Sequence, residues 1–118
     1  MNFKNKKIYL CNSSEIEKSK YVIKWINQIN DEIIVYKYQN LIYVRSSICS
    51  HFGGEIFYDE GSKNLRCKWH DWKFCPKTGK CLTHKILGKL NAYDFELKPN
   101  NLKNYQYKIN KKNIYLIL

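Results

Sequence analysis

The chain has 118 residues, of which 44% are hydrophobic and 15% aromatic. That is enough for one domain with a modest core, and it excludes disorder over most of the length. The net charge of +11 would ordinarily suggest nucleic acid, but all of the 21 basic residues except Arg45 and Arg66 are lysine, whereas a bidentate reader of phosphates or bases is built on arginine.

The lysine, with abundant Asn, Ile and Tyr, fits A/T-rich codon usage. The basic surface is therefore read as favouring an acidic protein partner or an anionic substrate rather than nucleic acid. The longest unbroken apolar run, Ile114 to Leu118, is far below the roughly 18 residues of a membrane helix. Met1 to Cys11 carries lysines but no apolar segment and cleavage site of a signal peptide. The expectation is a soluble, cytoplasmic protein with no membrane partner. Five cysteines, an odd number in a reducing compartment, then point to metal or redox chemistry before disulfides.

In chain order, β-branched and aromatic runs of strand length lie at Lys7 to Leu10, Tyr21 to Ile26, Glu32 to Tyr38, Leu41 to Ser46, Asp94 to Leu97, Tyr105 to Ile109 and Ile114 to Leu118. Ser14 followed by Glu17 predicts a capped helical turn over Glu15 to Ser19. Gln39-Asn40 predicts a tight hairpin, and Asn110 to Asn113 joins the last two strands. No repeat or linker divides the chain. The prediction is one all-β domain over residues 1–118, an antiparallel sandwich or barrel.

The middle, Ser46 to Thr83, differs in composition. It holds four of the five cysteines, two of the three histidines, two of the three tryptophans and four of the five glycines. Within it stand Cys49-Ser50-His51, followed by Phe52-Gly53-Gly54, and Cys67-Lys68-Trp69-His70. In an extended segment, side chains two apart share a face, so Cys49 and His51 can address one site, whereas Cys67 and His70 need a turn. Two such loops offer two thiolates and two imidazoles. A tetrahedral zinc ion would accept that set, although zinc sites usually pair like ligands on each loop. Mixed loops suit a dinuclear iron–sulfur centre with both cysteines on one iron and both histidines on the other. Gly53 and Gly54 allow close backbone approach, which lets N–H groups face cluster sulfurs. Buried structural Cys and His residues are the remaining alternative.

These two boxes, Cys49 to Gly54 and Cys67 to Phe74 followed by Thr78-Gly79, resemble the cluster-binding boxes of Rieske ferredoxins and of the Rieske domains of oxygenases. Ile8 to Cys11, Ser14-Glu15-Ile16 and the paired strands before Cys49 resemble the family's opening. The resemblance implies the Rieske fold: antiparallel sheets with an inserted cluster-binding subdomain at about 46–83. It also implies a [2Fe-2S] cluster with Cys49 and Cys67 on the inner iron and His51 and His70 on the outer. A weaker likeness is to the N-terminal Rieske domain of CMP-N-acetylneuraminate hydroxylase, through Gly53-Gly54, Arg66-Cys67 and Trp72-Lys73. Lys68 and Asp71 depart from the family's usual Pro and Gly, and the segment after Thr83, His84 to Lys89, lacks the family's prolines.

Members that oxidise quinols carry an extra cysteine in each loop and Ser and Tyr donors to the cluster. Here the corresponding places are Gly54, Trp69, Trp72 and Phe74. The resemblance therefore implies the oxygenase or ferredoxin type, with a potential toward the low end of the roughly −150 to +300 mV Rieske range. After His51 and His70, only His84 remains for the two-His, one-carboxylate iron of a terminal oxygenase. The expected role is accordingly an electron carrier, not an enzyme, passing single electrons from a reductase to a terminal oxygenase or hydroxylase that is acidic at its docking surface. The alternatives are a Rieske subunit permanently bound to a hydroxylase, for instance one acting on a nucleotide sugar near Lys68, Lys73, Lys77 and Lys85, and a zinc-stabilised interaction module. Phe52, Trp69, Trp72 and Phe74 are read as shielding the cluster or filling the core, Cys11 as a core thiol and His84 as a polar loop residue. Cys75 and Cys81 flank the turn Pro76 to Gly79 and are read as free thiols packing in the hairpin, with a disulfide on oxidation as the alternative.

Overall fold

The structure is a computed structural model of the whole chain and describes residues 7–48, 55–68, 72–82 and 102–118. Nine strands among these residues form three antiparallel three-stranded sheets. The first joins β1 (Lys7–Asn12), β9 (Asn113–Ile117) and β8 (Tyr107–Asn110), with β9 in the centre. The second orders β2 (Tyr21–Ile26), β3 (Asp31–Tyr38) and β4 (Leu41–Ser46). The third, built inside the ligand-rich middle, orders β5 (Ile56–Asp59), β6 (Asn64–Cys67) and β7 (Lys73–Phe74).

Strand β3 lies at the centre of this arrangement. Ile33, Ile34, Val35 and Tyr36 are all fully buried, although successive side chains of a strand point to opposite faces. Ile33 and Val35 enter one core with Leu10, Cys11, Ile16, Ile26, Val44, Ile114 and Leu116. Ile34 and Tyr36 enter the other, with Ile56, Leu65, Cys67, Trp72, Phe74, Cys81 and Leu102. Each fully buried aliphatic side chain here contributes about 1.5–3 kcal/mol relative to exposure. The middle sheet is thus covered on both faces.

The predicted hairpins form where expected. Gln39 and Asn40 both adopt left-handed φ, 51° and 66°, as a two-residue turn with primed geometry requires. Lys111 and Lys112 do the same between β8 and β9, at 51° and 72°. Helix α1 (Ser13–Ser19) is present, but its cap is Asn12 rather than Ser14. The Asn12 side chain accepts the Ser14 N–H, while the Glu15 carboxylate accepts the Asn12 N–H, a reciprocal capping box two positions earlier than the sequence suggested. The last predicted strands also shift, β8 starting at Tyr107 rather than Tyr105. Tyr105 instead donates its hydroxyl to Asp31 and its N–H to Val44. The strand expected at Asp94 to Leu97 lies outside the described residues. Among the described residues no helix is long and apolar enough to cross a membrane.

Arg45 ties the third sheet to the second. It is 4% exposed; its Nε donates to the Tyr36 hydroxyl at 3.0 Å, and its other amino group to the Lys77 carbonyl at 2.8 Å. The Tyr36 hydroxyl donates in turn to the Pro76 carbonyl. Tyr36 is also the middle ring of a stack, with Tyr43 of β4 and Tyr58 of β5 at centroid distances of 5.5 and 5.6 Å. Gly79, with φ 77°, closes the turn against this network. A Cβ there would come within 2.7 Å of the Arg45 guanidinium and 3.1 Å of the Leu102 carbonyl oxygen.

Two outcomes follow from these contacts. Gly79→Ala should lower stability by at least about 1 kcal/mol, the minimum for forcing a side chain into left-handed backbone; an unchanged denaturant midpoint would contradict the close approach. Asp59 accepts bonds from Ser62 and Arg66, which hold its carboxyl below the usual range. With the folded pKa depressed, its contribution is present above the unfolded pKa of about 3.9 and is lost as pH falls through the folded value. Asp59→Asn should therefore lower the thermal midpoint at neutral pH and converge with the parent in strong acid.

Candidate metal centre

The sequence places one thiol and one imidazole on each side of fifteen intervening residues, and the structure describes the strands from which the two segments depart. Strands β5 and β6 form a hairpin with Ile56 paired to Cys67 and Asp59 to Asn64. Asp59 fixes the connecting turn through Ser62 at 2.7 Å and Arg66 at 3.0 Å. The far end of the hairpin is where both boxes begin or end: residues 49–54 enter β5, and residues 68–71 leave β6.

The bases of the two segments are joined by backbone. Ile48 and Glu55, on either side of residues 49–54, form a β-bridge. The Ile56 N–H donates to the Ser47 carbonyl at 2.6 Å. On the other segment the Cys67 N–H donates to the Trp72 carbonyl at 2.9 Å, so residues 68–71 are likewise closed at their ends. The two bases are then linked by the Lys68 N–H, which donates to the Glu55 carbonyl at 2.9 Å. Behind them, Ser47 is anchored by its N–H on the Glu32 carbonyl and its hydroxyl on the Glu32 carboxylate. Ser46 is anchored on Asp31. These acidic residues open β3, so the first loop base is anchored on the central strand.

Of the four candidate ligands, Cys67 is within the described residues. It is 1% exposed, at the end of β6, in the core shared with Trp72 and Phe74. Cys49, His51 and His70 lie outside the described residues, as do Phe52, Trp69, Asp71, His84 and Lys85. Among the described residues no group of three or more Cys, His, Asp or Glu is placed to hold a metal. The donor set nevertheless fits a dinuclear centre: Cys67 supplies a buried thiol from a rigid strand end, and the segments carrying the other three donors spring from bases bonded to its own. Trp72 and Phe74 fill the core, as expected of them, and Lys68 is exposed and paired with Glu55.

The remaining cysteines are sorted by the same hairpin. Cys11 is 1% exposed in the opposite core, and burial pushes its thiol up to about 11. Cys75 and Cys81 are not joined by a disulfide. Cys81 bridges Phe74, and both are buried. Cys75, half-buried, lies just past the end of β7. Burial raises the Cys75 thiol, but hydrogen bonds from the Thr78 hydroxyl and the Thr78 and Lys77 N–H groups, with nearby Arg45, outweigh it and leave the pKa below its ordinary value. Sequence reading missed this difference, because the turn supplying those donors is not a cysteine signal.

A family model for the Rieske [2Fe-2S] domain matches residues 6–94. No curated protein matches the sequence. Among solved structures, a ferredoxin of Sphingomonas yanoikuyae B1 is similar at TM-score 0.71 and 17% identity, over 96% of this chain and 99% of that one. A cyanobacterial plasma membrane Rieske protein from Synechocystis PCC 6803 is similar at TM-score 0.69 and 13% identity, over 94% and 99%. The terminal oxygenase of carbazole 1,9a-dioxygenase from Novosphingobium sp. KA1 is similar at TM-score 0.69 and 17% identity, over 98% of this chain but 30% of that one.

Among the described cysteines, Cys75 should be alkylated first by iodoacetamide near neutral pH, with Cys11 modified only after unfolding, because the thiolate is the reacting form. Peptide mapping at timed intervals checks the order; modification of Cys11 before Cys75 would contradict the assignment.

Proposed function

Since the chain belongs to the Rieske [2Fe-2S] domain family, whose members hold a [2Fe-2S] cluster, we propose that it is a single-domain carrier of single electrons between a reductase and a terminal oxygenase or hydroxylase. The observation that carries this reading is the near-complete mutual coverage with a ferredoxin, 96% and 99%, against coverage of less than a third of the oxygenase chain. When bound, the cluster supplies a reversible one-electron centre.

In this proposal Cys49 and Cys67 hold one iron and His51 and His70 the other. Cys67 fixes the buried side, since its strand end is part of the core. By the family resemblance the two imidazoles would take the outer side, where a partner would approach and where electron uptake would couple to protonation. Trp72 and Phe74, buried beside Cys67, exclude water from the thiolate side and supply no hydroxyl donor. That supports a potential toward the lower end of the Rieske range. His84 is the sole histidine in these 118 residues beyond the proposed ligands. Within these residues a two-histidine mononuclear iron has no second imidazole to draw on. The net charge of +11 favours redox partners that are acidic where they dock.

The similarity to part of an oxygenase chain supports a second reading, a Rieske subunit held permanently on a hydroxylase. Size-exclusion and pull-down from native extract separate the two: a free monomer that serves added partners supports the carrier, and co-purification with one hydroxylase supports the subunit. Either reading expects anaerobically purified protein to be red-brown, with two iron and two acid-labile sulfide per chain and, once reduced, the EPR spectrum of mixed Cys and His ligation. His51→Ala or His70→Ala should abolish that spectrum. A colourless protein containing zinc would instead establish the interaction-module alternative.

A further inference from the structure

We propose that the ion pair between Lys68 and Glu55 is a clamp that holds the two ligand-bearing loops together and sets how long the cluster is retained. The proposal rests on the cluster reading above. Lys68 directly follows Cys67, and Glu55 directly follows residues 49–54, so each stands at the base of one loop. The Lys68 Nζ lies 2.5 Å from the Glu55 carboxylate, and the Lys68 N–H donates to the Glu55 carbonyl at 2.9 Å. Glu55 is therefore a junction: its backbone bridges Ile48 across the first loop, its carbonyl receives the second loop, and its carboxylate holds the lysine of that loop.

An exposed ion pair usually contributes little, because two long side chains lose rotamer freedom and water screens the charges. Here the side chains are 51% and 36% exposed, so a large effect on global stability is not expected. The difference lies in preorganisation. The backbone bond already sets the two residues side by side, which reduces the ordering cost of closing the salt bridge. What the pair opposes is local separation of the loop bases, an opening far smaller than unfolding of the two cores. Such an opening would expose the cluster to water and chelators while leaving the sheets intact. Lys68 and Glu55 are positioning residues in this account, acting on the loops rather than on the irons.

The test uses full-length protein loaded with its cluster: the parent, Lys68→Met, Glu55→Gln, the conservative Lys68→Arg, and the charge-reversed double variant Lys68→Glu with Glu55→Lys. Loss of visible absorbance is followed under a ferrous chelator, and the denaturant midpoint of each protein is measured in parallel. The single neutral variants should lose the cluster roughly threefold faster, within the range for such pairs, with little change in midpoint. Lys68→Arg and the reversed double variant should return toward the parent rate. Parent-like retention in both neutral variants would overturn the clamp, as would a double variant no better than the singles. Lys68→Met that slows electron delivery to an acidic partner but keeps its cluster would overturn it too, assigning Lys68 to docking instead. If the parent itself takes up no iron and sulfide, the cluster reading fails and the clamp with it, a result distinct from failure of the clamp alone.

Discussion

The two-faced burial of β3 is the constraint on which the molecule depends. One four-residue run, Ile33 to Tyr36, serves two cores at once, so neither flanking sheet can form its core without the central strand. The consequence for the site is direct. The small third sheet, too short to be stable alone, is held by Ile34 and Tyr36 on one side of β3, while Asp31 and Glu32 at the start of the same strand anchor the base of the first loop. Fold and candidate centre thus share one strand.

The sequence made the outer thirds legible because their strands are β-branched and aromatic runs of strand length and their turns have chemistry of their own. Gln39-Asn40 is a hairpin by residue type, and the left-handed φ values there show why. The run Ile33 to Tyr36 also reads as a strand, but its lack of alternation is the more informative signal, because a strand covered on both faces loses the polar face. The third sheet was harder to read. Its strands hold two to four residues, too short for periodicity, and their register comes from Asp59 and Arg66 rather than from pattern. The helix cap was misplaced by two residues because Asn12 and Ser14 are both competent caps, and only the position of Glu15 opposite the Asn12 N–H selects between them.

The candidate ligands stand out by spacing, one thiol and one imidazole in each of two boxes, and their assignment to two irons comes from the resemblance. What the spacing did not contain was the mutual support of the loop bases. The bonds between Ser47 and Ile56, Cys67 and Trp72, and Lys68 and Glu55 join residues that no local pattern connects. Cys75 and Cys81, expected as free thiols packing in the hairpin, are free in the structure.

A strand with apolar residues on both faces has a problem that an alternating one does not. Sliding it by a single residue exchanges Ile33 and Val35 for Ile34 and Tyr36, and greasiness alone barely distinguishes the two arrangements, whereas in a half-exposed strand such a slip is heavily penalised. What distinguishes them here is the one oxygen on that run, the Tyr36 phenol, which has partners in the Arg45 guanidinium and the Pro76 carbonyl and would lie stranded among hydrocarbon on the other side. A single polar atom deep inside the protein therefore acts as the indexing pin of the central strand, and the alignment of everything built on that strand, loop bases included, is inherited from it.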